Sequence, residues 1–204
     1  LLSRLGQVSM IMGDMAGAAR RYTASMAINQ QSGDRLGLAN SLFDLGRLEL
    51  NTGQPRRAER YFAEITQLGV DINQPEAVIV GLLFQGLAAN EMDDRARVDD
   101  FARRAIDFWR RVQPGAFSQE FIANNLENLA VLLADSRPDV ARQLFATIDR
   151  KGSLNRLFNT AFEVSAYTNA RERVNQSSEK GLVGDEPALS LDEALRLALA
   201  FGER

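Results

Sequence analysis

The sequence predicts an all-α fold, a right-handed α-solenoid (superhelix) of antiparallel helix pairs with an atypical helical cap at its C-terminal end. The first observation is a repeat: segments 2–6, 42–46 and 82–86 each begin with leucine, end with glycine and are equally spaced along the chain. A fixed period of roughly 20–50 residues is typical of stacked units that cannot bury their apolar faces alone. The second observation is that apolar residues recur at helical spacing, and no strand-like alternation extends beyond a few positions.

The first unit, about residues 1–33, is predicted to be two helices separated by a turn at Gly13–Asp14. Glycine adopts the left-handed backbone conformation that ends a helix, and aspartate caps the helix that follows. Gly6 lies on the apolar face of the first helix, where its small size lets a neighbouring helix approach closely. A glycine inside a helix costs roughly 1 kcal/mol relative to alanine. Its recurrence therefore indicates a packing role.

The second unit, about residues 34–73, repeats this plan, with Asp34 as the expected cap of its first helix. Pro55 is expected to open its second helix, because proline is tolerated at the first helical position. The third unit, about residues 74–115, follows the same order. The fourth unit, about residues 116–150, departs further from the pattern, as terminal repeats of a stack do.

Residues 151–204 lose the repeat and are predicted to form C-terminal capping helices. A helix is expected to about Val174, and a polar loop over about residues 175–187. Ser190 and Glu193 then have the spacing of a capping box, in which the serine accepts from the backbone of the glutamate and the glutamate reaches back. A short final helix is therefore predicted.

The composition excludes several classes of function. The chain has no cysteine and no histidine, which excludes disulfides, thiolate metal sites and triads that need a histidine base. A site built from carboxylates alone stays open in principle. Non-specific nucleic-acid binding requires a basic surface, and the net charge of −3 does not indicate one. No apolar run is long enough to cross a membrane. We expect no catalytic residue, metal or cofactor, no direct nucleic-acid binding and no membrane association.

Two local clusters each have two interpretations. Phe101, Phe108 and Trp109 form an aromatic stripe at helical spacing, which is either core or an exposed interface for another subunit. An acidic cluster includes Asp93 and Asp94. It is either a metal site or, more simply, negative charge that stabilises the N-terminus of a helix.

The positional pattern of the units resembles a known repeat family. Leu-x-x-Leu-Gly in the first helix is followed by Gly-Asp at the turn, then alanine, then an aromatic residue one helical turn later. This resembles the tetratricopeptide repeat over roughly residues 1–150. The period observed here exceeds the usual length of about 34 residues, and we assign the excess to a long connection at residues 31–37, which lengthens the helices around it. The resemblance implies a non-catalytic domain that binds a protein, a peptide or a small effector in a concave groove.

Two shorter segments resemble a narrower group. Ala27–Leu42 and Ala188–Leu199 look like parts of the tetratricopeptide regions in bacterial signalling ATPases of the LuxR-type and antibiotic-regulator-type transcription factors. The resemblance implies a cytoplasmic sensor arm that acts on upstream modules of the same polypeptide. The sequence does not begin with methionine and has no phosphate-loop motif, which agrees with a piece of a longer protein. The alternatives are a stand-alone scaffold, a homodimerisation module that uses the fourth unit and the tail, and an enzyme.

The resemblance also predicts which side chains face the concave groove. The guanidinium of Arg47 would bind a carboxylate of an extended peptide, and asparagines on either side would bind backbone groups. The other interpretation is an ordinary solvated helix face. The predicted ligand-binding residues are Gln7, Met10, Asn40, Phe43, Arg47, Asn51, Leu83, Leu87, Asn90 and Glu91.

Overall fold

The structure is a computed structural model, and it describes residues 1–112, 116–151, 160–177 and 189–200. This part of the chain has no strand and contains ten helices. They are α1 (Leu2–Ile11), α2 (Met15–Ser32), α3 (Arg35–Asn51), α4 (Pro55–Asp71), α5 (Pro75–Glu91), α6 (Arg95–Arg111), α7 (Gln119–Leu133), α8 (Pro138–Lys151), α9 (Ala161–Gln176) and α10 (Leu191–Leu199).

The first eight helices stack in chain order. Each helix from α1 to α5 packs against the next one, and α7 packs against α5, α6 and α8. The result is the all-α solenoid of helix pairs that the repeat predicts. The pairs α1–α2, α3–α4, α5–α6 and α7–α8 lie close to the four predicted units. The division into a repeat domain and a capping domain stays a prediction.

The turns between the first six helices recur at a regular interval, which is half of the repeat period. The residues with positive φ are Gly13, Gly33, Gly53, Asn73 and Asp93. A compact turn requires this left-handed conformation, which glycine adopts without strain and which asparagine and aspartate tolerate. The residue after each one occupies the N-cap position of the next helix, so each repeat unit consists of two helix–turn segments of equal length.

The long connection predicted at residues 31–37 is wrong. Helix α2 ends at Ser32 and α3 begins at Arg35, so only Gly33 and Asp34 join them. Asp34 caps α3 as expected, because its side chain accepts a hydrogen bond from the Gly37 N–H at 2.8 Å. The residues beyond the usual repeat length therefore extend the helices, and α3 to α6 each have 17 residues.

The recurring glycine has the packing role that its position predicts. A Cβ atom on Gly6 would lie 2.4 Å from the ring of Tyr22, and one on Gly46 would lie 2.6 Å from the ring of Phe62. In both pairs the ring belongs to the second helix of the same unit, and its spacing from the glycine is identical. The glycine lets the two helices meet with a fully buried aromatic ring between them.

We expect Gly46→Ala to lower the free energy of unfolding by about 1–3 kcal/mol, because the added methyl overlaps the Phe62 ring in a closely packed core. Denaturant unfolding measures this change. Phe62→Leu removes the overlapping ring, so the double variant should cost less than the sum of the two single variants. Additive costs would show that the ring is not what excludes a side chain at position 46.

Helix α1 shows how much burial depends on stacking. Leu5 and Val8 are exposed, whereas Leu45 and Leu48, the equivalent residues of the next unit, are buried. Helix α2 packs against α3, whereas in the described part of the chain no helix precedes α1. The same sequence position is therefore core or surface according to whether a preceding helix covers it.

The structure also decides between the interpretations of the two local clusters. Phe101 and Trp109 are buried and Phe108 is half-buried, so most of the aromatic stripe is core. Asp94 caps α6 by accepting from the Arg97 N–H at 3.3 Å. Across the described residues, no group of acidic side chains could hold a metal ion, and no helix has the length and apolarity needed to cross a membrane.

The two C-terminal helices leave the order of the stack. Helix α10 packs against α6, α7 and α8, and its Ser190–Glu193 capping box is formed as predicted. Helix α9 packs against α7 and α8 but also against α3, which belongs to the second unit. The polar loop expected over 175–187 begins inside α9, and residues 178–188 lie outside the described residues.

Candidate binding cavity

The first helices of the four pairs line a partly open cavity, and α9 forms a further wall of it. Its volume is about 830 Å³, and α1, α3, α5, α7 and α9 all contribute side chains to it. Ligand sites for small molecules commonly measure roughly 300–1,000 Å³. The cavity therefore has the size of a binding site, and it lies on the inner side of the helix pairs where the repeat resemblance predicts one.

One side of the cavity is apolar and aromatic. Phe43 and Phe84 meet edge to face, with ring centroids 4.9 Å apart and an interplanar angle of 82°. Leu87 and Val80 line the same side from α5. Rings that are held by their neighbours give a surface of defined shape, against which an apolar ligand group can pack.

The cavity is also lined by amides from α7 that the sequence analysis did not identify. Asn124, Asn125 and Asn128 line the cavity at helical spacing with Phe121. The Nδ2 of Asn125 donates to the Phe121 carbonyl oxygen at 2.8 Å, which fixes its side chain. The predicted groove residues came from the first three units only, and the first helix of the fourth unit was left out.

Four of the ten predicted ligand-binding residues line the cavity: Gln7, Phe43, Arg47 and Leu87. Their role in binding stays a prediction. The structure brings them together from three different helices, as expected for the inner face of stacked pairs.

Met10 and Leu83 are not on this surface, which corrects their predicted placement. Met10 is 8% exposed and packs in a core cluster with Tyr22 and Leu48, and Leu83 is 0% exposed. Both side chains pack into the core between helices rather than into the cavity. A ligand in the cavity cannot reach them without displacing the core.

Three more predicted residues lie outside the cavity lining. Asn40 and Glu91 are exposed near opposite ends of their helices, and Asn90 is half-buried. The repeat pattern predicted positions that lie about one helical turn away from the residues that line the cavity. Because the enclosed part of the groove covers only the middle of α3 and α5, residues at the helix ends do not reach it.

Arg47 forms a buried ion pair with Glu163 of α9. Its Nε donates to Glu163 Oε1 at 2.9 Å and its Nη2 donates to Oε2 at 2.5 Å, and the two side chains are 9% and 13% exposed. The guanidinium also lies 5.6 Å from the centroid of the Phe43 ring. Burial lowers the pKa of Arg47, but the Glu163 carboxylate more than offsets this and raises the pKa above its ordinary value. Arg47 therefore stays charged.

Asn51, the last of the predicted residues, also contacts α9. Its Oδ1 accepts a hydrogen bond from the backbone N–H of Phe162 at 3.2 Å. At the same place Glu163 and Thr160 form a capping box, in which Glu163 Oε2 accepts from the Thr160 N–H at 2.7 Å. The first turn of α9 thus contacts the polar side chains of α3 through a carboxylate and a backbone amide.

A second carboxyl group lies close to Arg47. Asp44 is buried one turn earlier on α3, and burial raises its pKa to about 6, although a hydrogen bond from Ser3 and the charge of Arg47 act in the opposite direction. Tyr22 is buried nearby, and its pKa is also raised by burial. The group is a charged network inside the solenoid that links α1, α3 and α9.

Comparison with known proteins agrees with the repeat pattern. The family model described as "Tetratricopeptide repeat" matches residues 1–68, about the first third of the chain. The match supports a tetratricopeptide-repeat domain, and repeats of this family form scaffolds for protein interaction. No curated protein and no solved structure matches the chain.

Proposed function

We propose that this protein is a non-catalytic interaction domain that binds a segment of a partner protein in the cavity between its first helices and α9. The observation that carries the proposal is the cavity itself, to which all four helix pairs contribute. A solenoid needs no inner cavity for its stability. Amides and aromatic side chains in the same cavity can supply both hydrogen bonds for a peptide backbone and apolar contact for its side chains.

The chemistry of the cavity supports binding rather than catalysis. It contains no histidine or cysteine, since the chain has none. Arg47 and Glu163, which are both nearly buried, hold each other in a bidentate pair. A general base needs freedom to accept a proton from a substrate, and this carboxylate is fully engaged with Arg47 and the first turn of α9.

A cavity-filling substitution tests the proposal. Random dodecapeptides displayed on phage are selected on the full chain, and the best peptides are synthesised for affinity measurement. Asn128→Trp places a large ring in the cavity from a half-buried position. We expect it to weaken the selected peptides at least tenfold, as measured by fluorescence anisotropy.

Asn169→Trp is the matched control, because Asn169 is exposed on α9 and does not line the cavity. This variant should bind the selected peptides with unchanged affinity. Peptides that bind the Asn128→Trp variant as tightly as they bind the original chain would place the binding surface elsewhere and refute the proposal.

A small effector is the second candidate ligand. The volume of the cavity lies within the range of small-molecule sites and therefore also suits a compact ligand. A metabolite library screened by thermal shift tests this candidate. Compounds that raise the melting temperature of the original chain should lose their effect in Asn128→Trp and keep it in Asn169→Trp.

The wider context of the domain is a separate proposal. Attachment to a bacterial regulator with an upstream ATPase is supported by the two segments that resemble such proteins, Ala27–Leu42 and Ala188–Leu199. The gene sequence upstream of Leu1 tests it, because a phosphate-loop motif is expected there. A stand-alone scaffold or homodimer is the alternative, and light scattering over a range of concentrations would detect the dimer.

A cytoplasmic location is part of the proposal that the domain belongs to a bacterial regulator.

A further inference from the structure

The first turn of α9 occupies the polar groups that the sequence analysis assigned to an external ligand. Arg47 binds the carboxylate of Glu163, and Asn51 accepts from the backbone N–H of Phe162. These are the two kinds of group that the sequence analysis expected those side chains to bind in a peptide. The structure therefore contains an example of what this surface of α3 recognises, namely the acidic first turn of a helix.

The contact depends on helical geometry in the bound segment. The first N–H groups of a helix have no acceptor within the helix, and the Phe162 N–H is one of them. The Glu163 carboxylate is held in place by the Thr160 N–H and hydroxyl at 2.7 and 3.1 Å. A capping box therefore presents a carboxylate and a backbone N–H side by side. Arg47 and Asn51 lie one turn apart on α3, and each of them binds one of these two groups.

Burial makes the carboxylate a requirement for any occupant. Arg47 and Glu163 are both almost excluded from water, and a buried charge is costly unless a charge of opposite sign compensates it. Among the residues that the structure describes, Asp44 and Tyr22 also act on the charge of Arg47, and burial disfavours the ionised form of Asp44. A segment that replaced α9 without an acidic side chain would lose the bidentate contact.

We propose that Arg47 and Asn51 form a docking site for the acidic first turn of a helix in a partner protein, and that α9 is its intramolecular competitor. This rests on the binding function proposed above and specifies the partner. The partner segment has serine or threonine as its N-cap and glutamate at the third helical position. Because α9 belongs to the same chain, its effective concentration at the site is high, and the partner binds when the first turn of α9 leaves.

The test uses the full chain and a synthetic peptide of residues 160–176, acetylated at its N-terminus and fluorescently labelled at its C-terminus. Its affinity is measured by anisotropy for the original chain and for Glu163→Gln, which removes the competing carboxylate and preserves the shape of the side chain. Hydrogen exchange at the Phe162 amide reports whether the first turn of α9 has been released, and exchange in α3 reports whether the solenoid is intact.

We expect Glu163→Gln to bind the peptide at least tenfold more tightly than the original chain, with faster exchange at Phe162 and unchanged exchange in α3. Adding Arg47→Gln, or placing glutamine at the Glu163 position of the peptide, should abolish the gain. Thr160→Ala is a milder second variant, because it weakens the capping box in the chain and leaves α3 unchanged. Glu172→Gln, an exposed position on the same helix, is the control and should bind like the original chain.

Equal affinity of the original chain and the Glu163→Gln and Thr160→Ala variants for the peptide would overturn this inference, as would a gain that survives Arg47→Gln. The cavity proposal fails by a different result, the insensitivity of phage-selected peptides to Asn128→Trp. If those peptides respond to Asn128→Trp while the α9 peptide does not respond to Glu163→Gln, the cavity binds ligands but α9 does not compete for it.

Discussion

Replacing Arg47 with methionine is expected to lower the free energy of unfolding by about 3 kcal/mol. The ion pair with Glu163 is bidentate and nearly excluded from water, and the loss of one partner from a buried pair typically costs about 3–5 kcal/mol, because the other charge stays buried. The lower end of that range applies here, because the Thr160 N–H and hydroxyl still donate to Glu163. Chemical denaturation measures the change.

The double variant Arg47→Met, Glu163→Leu distinguishes the net contribution of the ion pair to stability from the cost of leaving one buried charge unpaired. Two apolar side chains of similar size remove both charges of the pair, so most of the lost stability should return. Arg103→Met is the matched control, since Arg103 forms an exposed pair with Asp100 within one helix. Such pairs contribute about 0–1 kcal/mol. If Arg47→Met costs no more than Arg103→Met, α9 is not held to α3 by this contact.

Asp44→Asn is expected to stabilise the protein at pH 7 by about 3 kcal/mol. The pKa of Asp44 is about 6 in the folded protein, against an ordinary value of 3.8, so the folded state binds more protons between those two values. Its contribution to stability therefore falls as the pH rises from about 4 to 6, and stays constant above that range. Asparagine keeps the shape of the neutral acid and cannot ionise.

The difference in unfolding free energy between Asp44→Asn and the original chain, measured from pH 4 to pH 8, checks this prediction. It should be near zero at pH 4, rise to about pH 6 and then level off. Asp99→Asn, at an exposed position on α6, is the matched control. A constant difference across the range would mean that folding does not raise the pKa of Asp44.

The close packing at the repeated glycines was predictable from the sequence. The structure shows that the residue packed against the glycine is not the same in every unit. Gly6 and Gly46 face Tyr22 and Phe62 as the period predicts. In the third unit the aromatic position is Ala102, and the space over Gly86 is filled instead by Leu132 of α7. A repeat pattern predicts which position needs a small residue, but the neighbouring helix that fills the space is decided by the stack.

The candidate site was predictable only in part, for a related reason. Helical periodicity selects a face of a helix to within about one turn. The residues that it correctly predicts to line the cavity are Gln7, Phe43, Arg47 and Leu87. It also predicts Leu83, which is buried in the core. A single turn separates a lining position from a buried one. The exposure of each turn depends on how far the neighbouring helices overlap, which no pattern within one helix contains.

The sequence by itself determined most of the turns and helix caps and the stacking of helix pairs, because each depends on residues close together in the chain or on a period that repeats. Only the tertiary structure decided that α9 closes the groove. The contact between Arg47 and Glu163 joins residues separated by 116 positions. A buried guanidinium requires a carboxylate, but any of several acidic residues could have satisfied it, and only the folded path of the chain selects which one does.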